Sequence, residues 1–190
     1  MIEIHIKMNK LKIAIDCDNV LFHNDITEQV ISDLNLNANI SKIYHWELEE
    51  LGEEGKAECH KRFSDPSHMC DLKPIQGNKK KIREWYKQGH ELICVTARDL
   101  GIYQPTIDMI KQHYPEILNF RMMGSYNKSA GIYDCDVVID DSHYTIQNAI
   151  PLRKIKKIFF VSNKKTPYNH DYTFKSKRVF KVRGLKDIDL

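Results

Sequence analysis

Six short apolar runs limit what this chain can fold into: LKIAI (11–15), ELICV (91–95), NFRMM (119–123), DVVI (136–139), KIFFV (157–161) and RVFKV (178–182). Each is too short for a helix and rich in β-branched or aromatic side chains, which suits a strand. Segments between them keep helical spacing instead. In YQPTIDMIKQHY (103–114) the apolar positions are Ile107, Ile110 and Tyr114. In GNKKKIREWYKQGH (77–90) they are Ile82, Trp85 and Tyr86, and Gly89 suits a helix C-terminus. Strands alternating with helices predict an α/β fold with a Rossmann-like, mostly parallel sheet.

Residues 22–74 break this rhythm. DITEQVISDLNL (25–36) offers Ile26, Val30, Ile31 and Leu34 at helical spacing. HWELEELGEEGKAECHKRF (45–63) is charged and helix-prone, with Gly52 and Gly55 as expected interruptions. No strand pattern occurs here. The expectation is a small helical cap (22–74) inserted after the first strand of a core formed by 1–21 and 75–190. The polar, aperiodic NKKTPYNHDYTFKSK (163–177) reads as a loop.

Composition excludes several classes. A chain of 190 residues suits one domain with a real core, or one domain plus an insertion. A net charge of +3 falls short of a nucleic-acid signature. The basic RKIKK (153–157) and Lys164-Lys165 read as solvated flanks, so no nucleic-acid partner is expected. No apolar run approaches a membrane span, and MIEIHIKMNK lacks the apolar core of a signal peptide. The five cysteines are odd in number and scattered, which reads as reduced thiols in a cytoplasmic protein. Cys59, His60, His68 and Cys70 lack the paired spacing of a zinc knuckle and read as structural.

The strand ends carry the chemistry. KIAI ends at Asp16, LICV at Thr96, and DVVI at Asp140 followed by Asp141. Ligands of open parallel sheets bind at the carboxyl ends of the strands, so these polar residues converge on one site. Asp16 and Asp18 are two apart in an extended segment and face the same way. Carboxylates that close repel unless a cation or proton compensates. Oxygen donors of this kind suit Mg²⁺, which takes carboxylates, water and a substrate phosphate. Lys128, just before the fourth run, supplies an amine for a phosphoryl oxygen.

DCDNV, VTAR, Lys128 and VVIDDS, in that order, resemble the four motifs of the haloacid dehalogenase superfamily of phosphohydrolases. The helical insertion and the stretch KPIQGNKKKIREWYKQGHELICVTAR resemble the cytosolic 5′(3′)-deoxyribonucleotidase branch. The resemblance implies a Mg²⁺-dependent phosphomonoesterase, a 5′-nucleotidase acting on nucleoside or deoxynucleoside monophosphates. It makes Asp16 the nucleophile that becomes an aspartyl phosphate, and Asp18 the general acid and base. The metal would be held by Asp16, by Asp18 through its backbone carbonyl, and by Asp140, with Asp141 in or behind that shell. Thr96 and Lys128 would hold the phosphate. Two departures stand out. Asn19 replaces the usual Gly, and Asn tolerates the left-handed backbone of such a turn. The second motif continues as Ala97-Arg98, where some relatives have a second hydroxyl, so Arg98 either meets substrate or lies on the surface. In the insertion, Tyr44 and Trp46 are the candidates to stack on a base, while Phe63 reads as core. The alternatives are a phosphatase for another small phosphate ester or for a nucleic-acid terminus, or an inactive phosphate-binding protein. The oligomeric state is left open.

Overall fold

In the computed structural model, which describes residues 9–124 and 128–190, all six runs form strands. They are β1 (Lys12–Ile15), β2 (Glu91–Thr96), β3 (Asn119–Met122), β4 (Val137–Asp140), β5 (Lys157–Val161) and β6 (Val179–Val182). The helices are α1 (Ile26–Asp33), α2 (Gly52–Phe63), α3 (Pro66–Met69), α4 (Asn78–Lys87), α5 (Tyr103–His113), α6 (Ser129–Ile132) and α7 (His143–Ala149). Most of the opening segment read for a leader, residues 1–8, lies outside the described residues, as does Asn127 beside the motif lysine.

Every strand pairing is parallel, in the order β3-β2-β1-β4-β5-β6. Side chains alternate between the two faces of the sheet. In β1, Ile13 and Ile15 join one apolar cluster and Ala14 the other; β4 repeats this with Val137 and Ile139 against Val138. α4 and α5 cover the first face through Ile82, Trp85, Met109 and Ile110. α6 and α7 cover the second through Ile132, Ile146 and Ala149. A parallel sheet buried on both faces explains why its strands read as nearly continuous apolar runs. Tyr86 departs from expectation. It is nearly half exposed, because one step beyond Trp85 turns it by about 100° around the helix, away from the sheet.

The order of the strands places the site. From β1 the chain runs outward through β2 and β3, then returns to lay β4 on the other side of β1. That reversal opens a crevice at the carboxyl ends of β1 and β4, where such sheets bind ligands. The turn leaving β1 is pinned from below. Tyr114 Oη donates to Leu21 O at 2.7 Å and Asn78 Nδ2 to Val20 O at 2.7 Å, both buried. Asn19 takes the left-handed conformation (φ 57°) that its type tolerates.

Between β1 and α4 lie α1, α2, α3 and two 3₁₀ turns, Ile40–Lys42 and Glu49–Leu51. They share a small cluster of their own, including Ile26, Val30, Ile43, Leu51 and Met69, which also takes in Ile102 from the 3₁₀ turn Leu100–Ile102 after β2. The two glycines do not interrupt a helix here. Gly52 opens α2 with φ 67°, and Gly55 lies inside it. A Cβ at Gly55 would come within 2.8 Å of both Leu36 Cδ1 and Leu51 Cβ, so close packing is what requires glycine there. The 163–177 stretch is a loop, but an anchored one. It contains a 3₁₀ turn, Pro167–Asn169, and the buried Asn169 donates to Asp141 O at 2.5 Å and Val161 O at 3.2 Å.

Candidate active site

Where β1 ends, the Asp16 N–H donates to Ile139 O at 2.9 Å, which sets Asp16 beside the end of β4. Lys128, buried at the start of α6, joins the two strand ends. Its ammonium donates to Asp16 Oδ1 at 2.6 Å and to Asp140 Oδ2 at 2.9 Å. Asp140 Oδ1 accepts from the Ser142 N–H at 2.7 Å, and Ser142 caps α7 by accepting from the Thr145 N–H. The VVIDDS stretch thus serves both as strand end and as helix cap. Thr96 ends β2, buried, and its Oγ1 accepts from the Arg98 N–H at 3.3 Å.

Asp16, Asp140 and Asp141 can bring one carboxylate oxygen each to within 4.8 Å of the others. Lys128 is the one ammonium paired with this cluster among the described residues, too little to offset three ionised carboxylates buried together. Burial, then Asp140 and Asp18, raise Asp16 to about 7 against the pull of Lys128. Burial, then Asp16 and Asp140, push Asp141 well above the usual carboxylate range. Burial would lower the Lys128 ammonium, but Asp140 and Asp16 outweigh it and hold it above its ordinary value. Convergent buried carboxylates that one ammonium cannot keep ionised are the environment a hard divalent cation fits.

Asp18 is turned elsewhere. Its carboxylate meets the Arg98 guanidinium through Nε to Oδ2 and Nη2 to Oδ1, both 2.9 Å, and accepts from Asn24 Nδ2 at 3.2 Å. Burial raises Asp18, but Arg98 outweighs it and holds the group below the usual carboxylate range. The acidic cluster therefore forms without the Asp18 carboxylate. Arg98 is buried, so it is not the surface residue that one sequence reading allowed.

Two contributors, Tyr168 and Asn24, gave no signal in the sequence, and Asn19 was marked there only as a turn residue. Asn19 Nδ2 and Tyr168 Oη both donate to Asp141 Oδ2 at 3.2 Å, so the turn residue and the 163–177 loop reach the acidic cluster. Tyr168 sits in a polar stretch without periodicity, and only the tertiary fold brings it across from Asn19. Asn24, just past the turn, was unremarkable for the same reason.

Above the strand ends lies a cavity of about 490 Å³. Asp16, Asp18, Thr96, Lys128 and Asp141 form its floor, with the exposed Ala97 and buried Arg98 beside them. Ile43, Leu48, Phe63 and Met69 give it an apolar side, so Phe63 both packs in its own cluster and faces the cleft. Trp46 is half-buried in the wall. Its ring meets Tyr168, His143 and Tyr144 edge-on, with centroids 5.0, 5.7 and 6.3 Å away. The structure does not bring Tyr44 into the cleft. It is exposed and borders a smaller hollow with Tyr172. Among the described residues, three of the six basic residues of the flanks are ion-paired: Lys154 and Lys156 with Asp136, and Lys165 with Glu28.

All five cysteines are free thiols, and no helix among the described residues is long and apolar enough to cross a membrane. Comparison with curated proteins finds no sequence match. The fold is similar to that of YfnB from Bacillus subtilis, solved bound to magnesium, with a TM-score of 0.57 and 10% identity over 94% of this chain and 97% of that one. It is similar to L-2-haloacid dehalogenase from Xanthobacter autotrophicus, with a TM-score of 0.57 and 8% identity over 94% and 96% of the two chains. A haloacid dehalogenase-like hydrolase from Xanthomonas campestris gives a TM-score of 0.53 and 10% identity over 93% and 92%. At such identities the likeness shows a common fold and leaves the reaction to the site itself. The sequence model of one family, described as 5′ nucleotidase, deoxy (Pyrimidine), cytosolic type C protein, matches residues 9–178. The chain belongs to that family, and with it to the phosphoric monoester hydrolases built on the haloacid dehalogenase fold.

Proposed function

We propose that the protein is a Mg²⁺-dependent, cytoplasmic 5′-nucleotidase that hydrolyses nucleoside or deoxynucleoside monophosphates through an aspartyl phosphate on Asp16. The observation that carries this reading is the Asp16–Lys128–Asp140 bridge, with Asp141 beside it, beneath a cavity large enough for a nucleotide. Residues 22–74 act as a cap over that cavity, and 1–21 with 75–190 form the catalytic core. The free thiols suit a reducing compartment.

Asp16, Asp140 and Asp141 would hold the cation, with the Asp18 backbone carbonyl as a further donor. When bound, Mg²⁺ offsets charge on the phosphoryl oxygens. Lys128 holds Asp16 Oδ1, which leaves Oδ2 free to attack phosphorus. Thr96 Oγ1 and the Lys128 ammonium position the phosphoryl group. As the Oδ2–P bond forms, the bond to the nucleoside oxygen breaks, and Asp18 delivers the proton that oxygen needs. Water then attacks the aspartyl phosphate, Asp18 takes its proton, and orthophosphate leaves. Arg98 keeps Asp18 ionised, the form the hydrolytic half requires. The first half, which needs the proton, slows as pH rises.

The test is a panel of nucleoside monophosphates, sugar phosphates, 5′-phosphorylated oligonucleotides and p-nitrophenyl phosphate, assayed with and without Mg²⁺. Nucleotides should give the highest kcat/KM, and excess chelator should abolish turnover. Equal rates on sugar phosphates would overturn the nucleotidase assignment, and full activity in chelator would overturn the cation's role.

A further inference from the structure

We propose that Arg98 is the positioning residue for Asp18: it selects which carboxylate oxygen exchanges the proton and ties that oxygen to the end of α3. The inference rests on the assignment of Asp18 as the proton-transfer group.

The guanidinium side chain is 2% exposed and nearly all of its hydrogen-bonding capacity is committed. Nε and Nη2 meet the two oxygens of Asp18. Nη1 donates to Met69 O at 2.8 Å and to Thr106 Oγ1 at 3.3 Å. Four of the five N–H groups of an arginine are thus placed, on three separate elements of the fold. A side chain so committed does not double as a phosphate clamp.

The pairing is unequal at its two ends. Asp18 Oδ1 accepts from Arg98 Nη2 and also from Asn24 Nδ2, which fills both of its lone pairs. Among the described residues Oδ2 accepts only from Arg98 Nε. The spare lone pair is therefore on Oδ2, and Asp18 lines the cavity. Two parallel bonds from a planar fork fix the rotation of the carboxylate as well as its position. The third arm reaches the carbonyl of Met69, the last residue of α3, whose carbonyl has no partner within so short a helix. The placement of Oδ2 is thereby linked to the placement of residues 66–69, at the end of the helical segment that walls the cleft. Lysine cannot reproduce this, because its three N–H groups radiate from one atom and lack the planar fork whose two parallel bonds fix the rotation of the Asp18 carboxylate.

The experiment measures kcat, KM and Tm for wild type, Arg98→Lys and Arg98→Ala on p-nitrophenyl phosphate with Mg²⁺. Arg98→Lys keeps the charge beside Asp18 and should fold. Its KM should stay within about threefold of wild type while kcat falls roughly 100-fold, the scale expected for a displacement of about 1 Å. Guanidinium at tens of millimolar should restore kcat of Arg98→Ala about tenfold, and equal sodium chloride should not. A kcat of Arg98→Lys within about threefold of wild type overturns the proposal, since charge alone would then suffice. A raised KM with unchanged kcat also overturns it, by making Arg98 a phosphate binder. If Arg98→Ala folds and guanidinium fails to restore it, or if neither variant folds, the role is structural and the proposal falls. Absence of wild-type turnover on any phosphomonoester is the separate result that removes the phosphatase mechanism.

Discussion

Asp16 and Trp46 line the same cleft, yet the fold holds them in different ways. Asp16 stands at the end of a central strand, with its N–H on Ile139 O and its carboxylate on Lys128. Thr96 and Asp140 are likewise terminal residues of strands whose register is set by neighbours on either side. Trp46 lies between two 3₁₀ turns, outside any helix or strand, and is placed by ring contacts with Tyr168, His143 and Tyr144. The floor of the cleft is fixed by backbone hydrogen bonding through the sheet. The wall is fixed by side chains meeting across a small separate cluster. Chemistry that needs sub-ångström placement belongs on the floor, and selection among leaving groups can be left to the wall.

The largest effect follows from that division. Asp16→Asn should lower kcat by about 10⁴-fold or more on every phosphomonoester, because an amide is a poor nucleophile of the same shape. The loss should be uniform across the substrate panel. A loss confined to nucleotides would place selectivity on the floor and break the comparison. The next effect concerns the cation. Burial raises Asp16 to about 7. A carboxylate raised in this way contributes stability that is full below about 3.9 and is lost as pH rises through about 7. A cation in the cluster offsets that loss, and below pH 7 it must first displace the Asp16 proton. Mg²⁺ at a hundredfold excess over its Kd adds about 2.7 kcal/mol, or roughly 5–10 °C in Tm for a chain of this size. The gain should be larger at pH 8 than at pH 5.5 in thermal melts. Equal gains at both pH values would remove Asp16 from the cation site.

The floor was also the part legible in the sequence. Six strand runs, the polar residue after each of three of them, and the asparagine in the turn all follow from local pattern, and the parallel sheet brings them together. What was not legible depended on contacts distant in sequence. Arg98 gave no local sign that it would close on Asp18, 80 residues away, and Tyr168 none that it would reach Asp141. Gly55 read as a helix interruption because close approach of Leu36 and Leu51 leaves no trace in composition. Tyr86 was misread for a simpler reason: in a helix, one residue separates the buried face from solvent.

On the wall, Trp46→Ala should lower kcat/KM for a nucleoside monophosphate by roughly 5- to 150-fold, the equivalent of the ~1–3 kcal/mol of an aromatic–base stack. Turnover of p-nitrophenyl phosphate should change by less than about threefold. Equal losses on the two substrates would show that Trp46 supports the floor through Tyr168, which donates to Asp141, and the separation of the two regions would fail.

The smallest effect tests how the wall is held to the core. Lys165, in the loop after β5, pairs with both oxygens of Glu28 on α1, at 2.5 and 2.6 Å, and both residues line the cleft. The pair is exposed, with side-chain accessibilities of 48% and 31%, so its strength is that of a solvent-screened contact, about 0.2–1 kcal/mol. Lys165→Gln should therefore change nucleotide KM by no more than roughly fivefold and leave kcat on p-nitrophenyl phosphate unchanged. The change should fade in 0.5 M salt, where the screening length is only about 4 Å. A salt-insensitive change well above tenfold would mean that Lys165 touches the substrate. The wall would then read its ligand with a charge from the core side as well as with the Trp46 ring, and the division between a reactive floor and a selective helical wall would have to include the 163–177 loop.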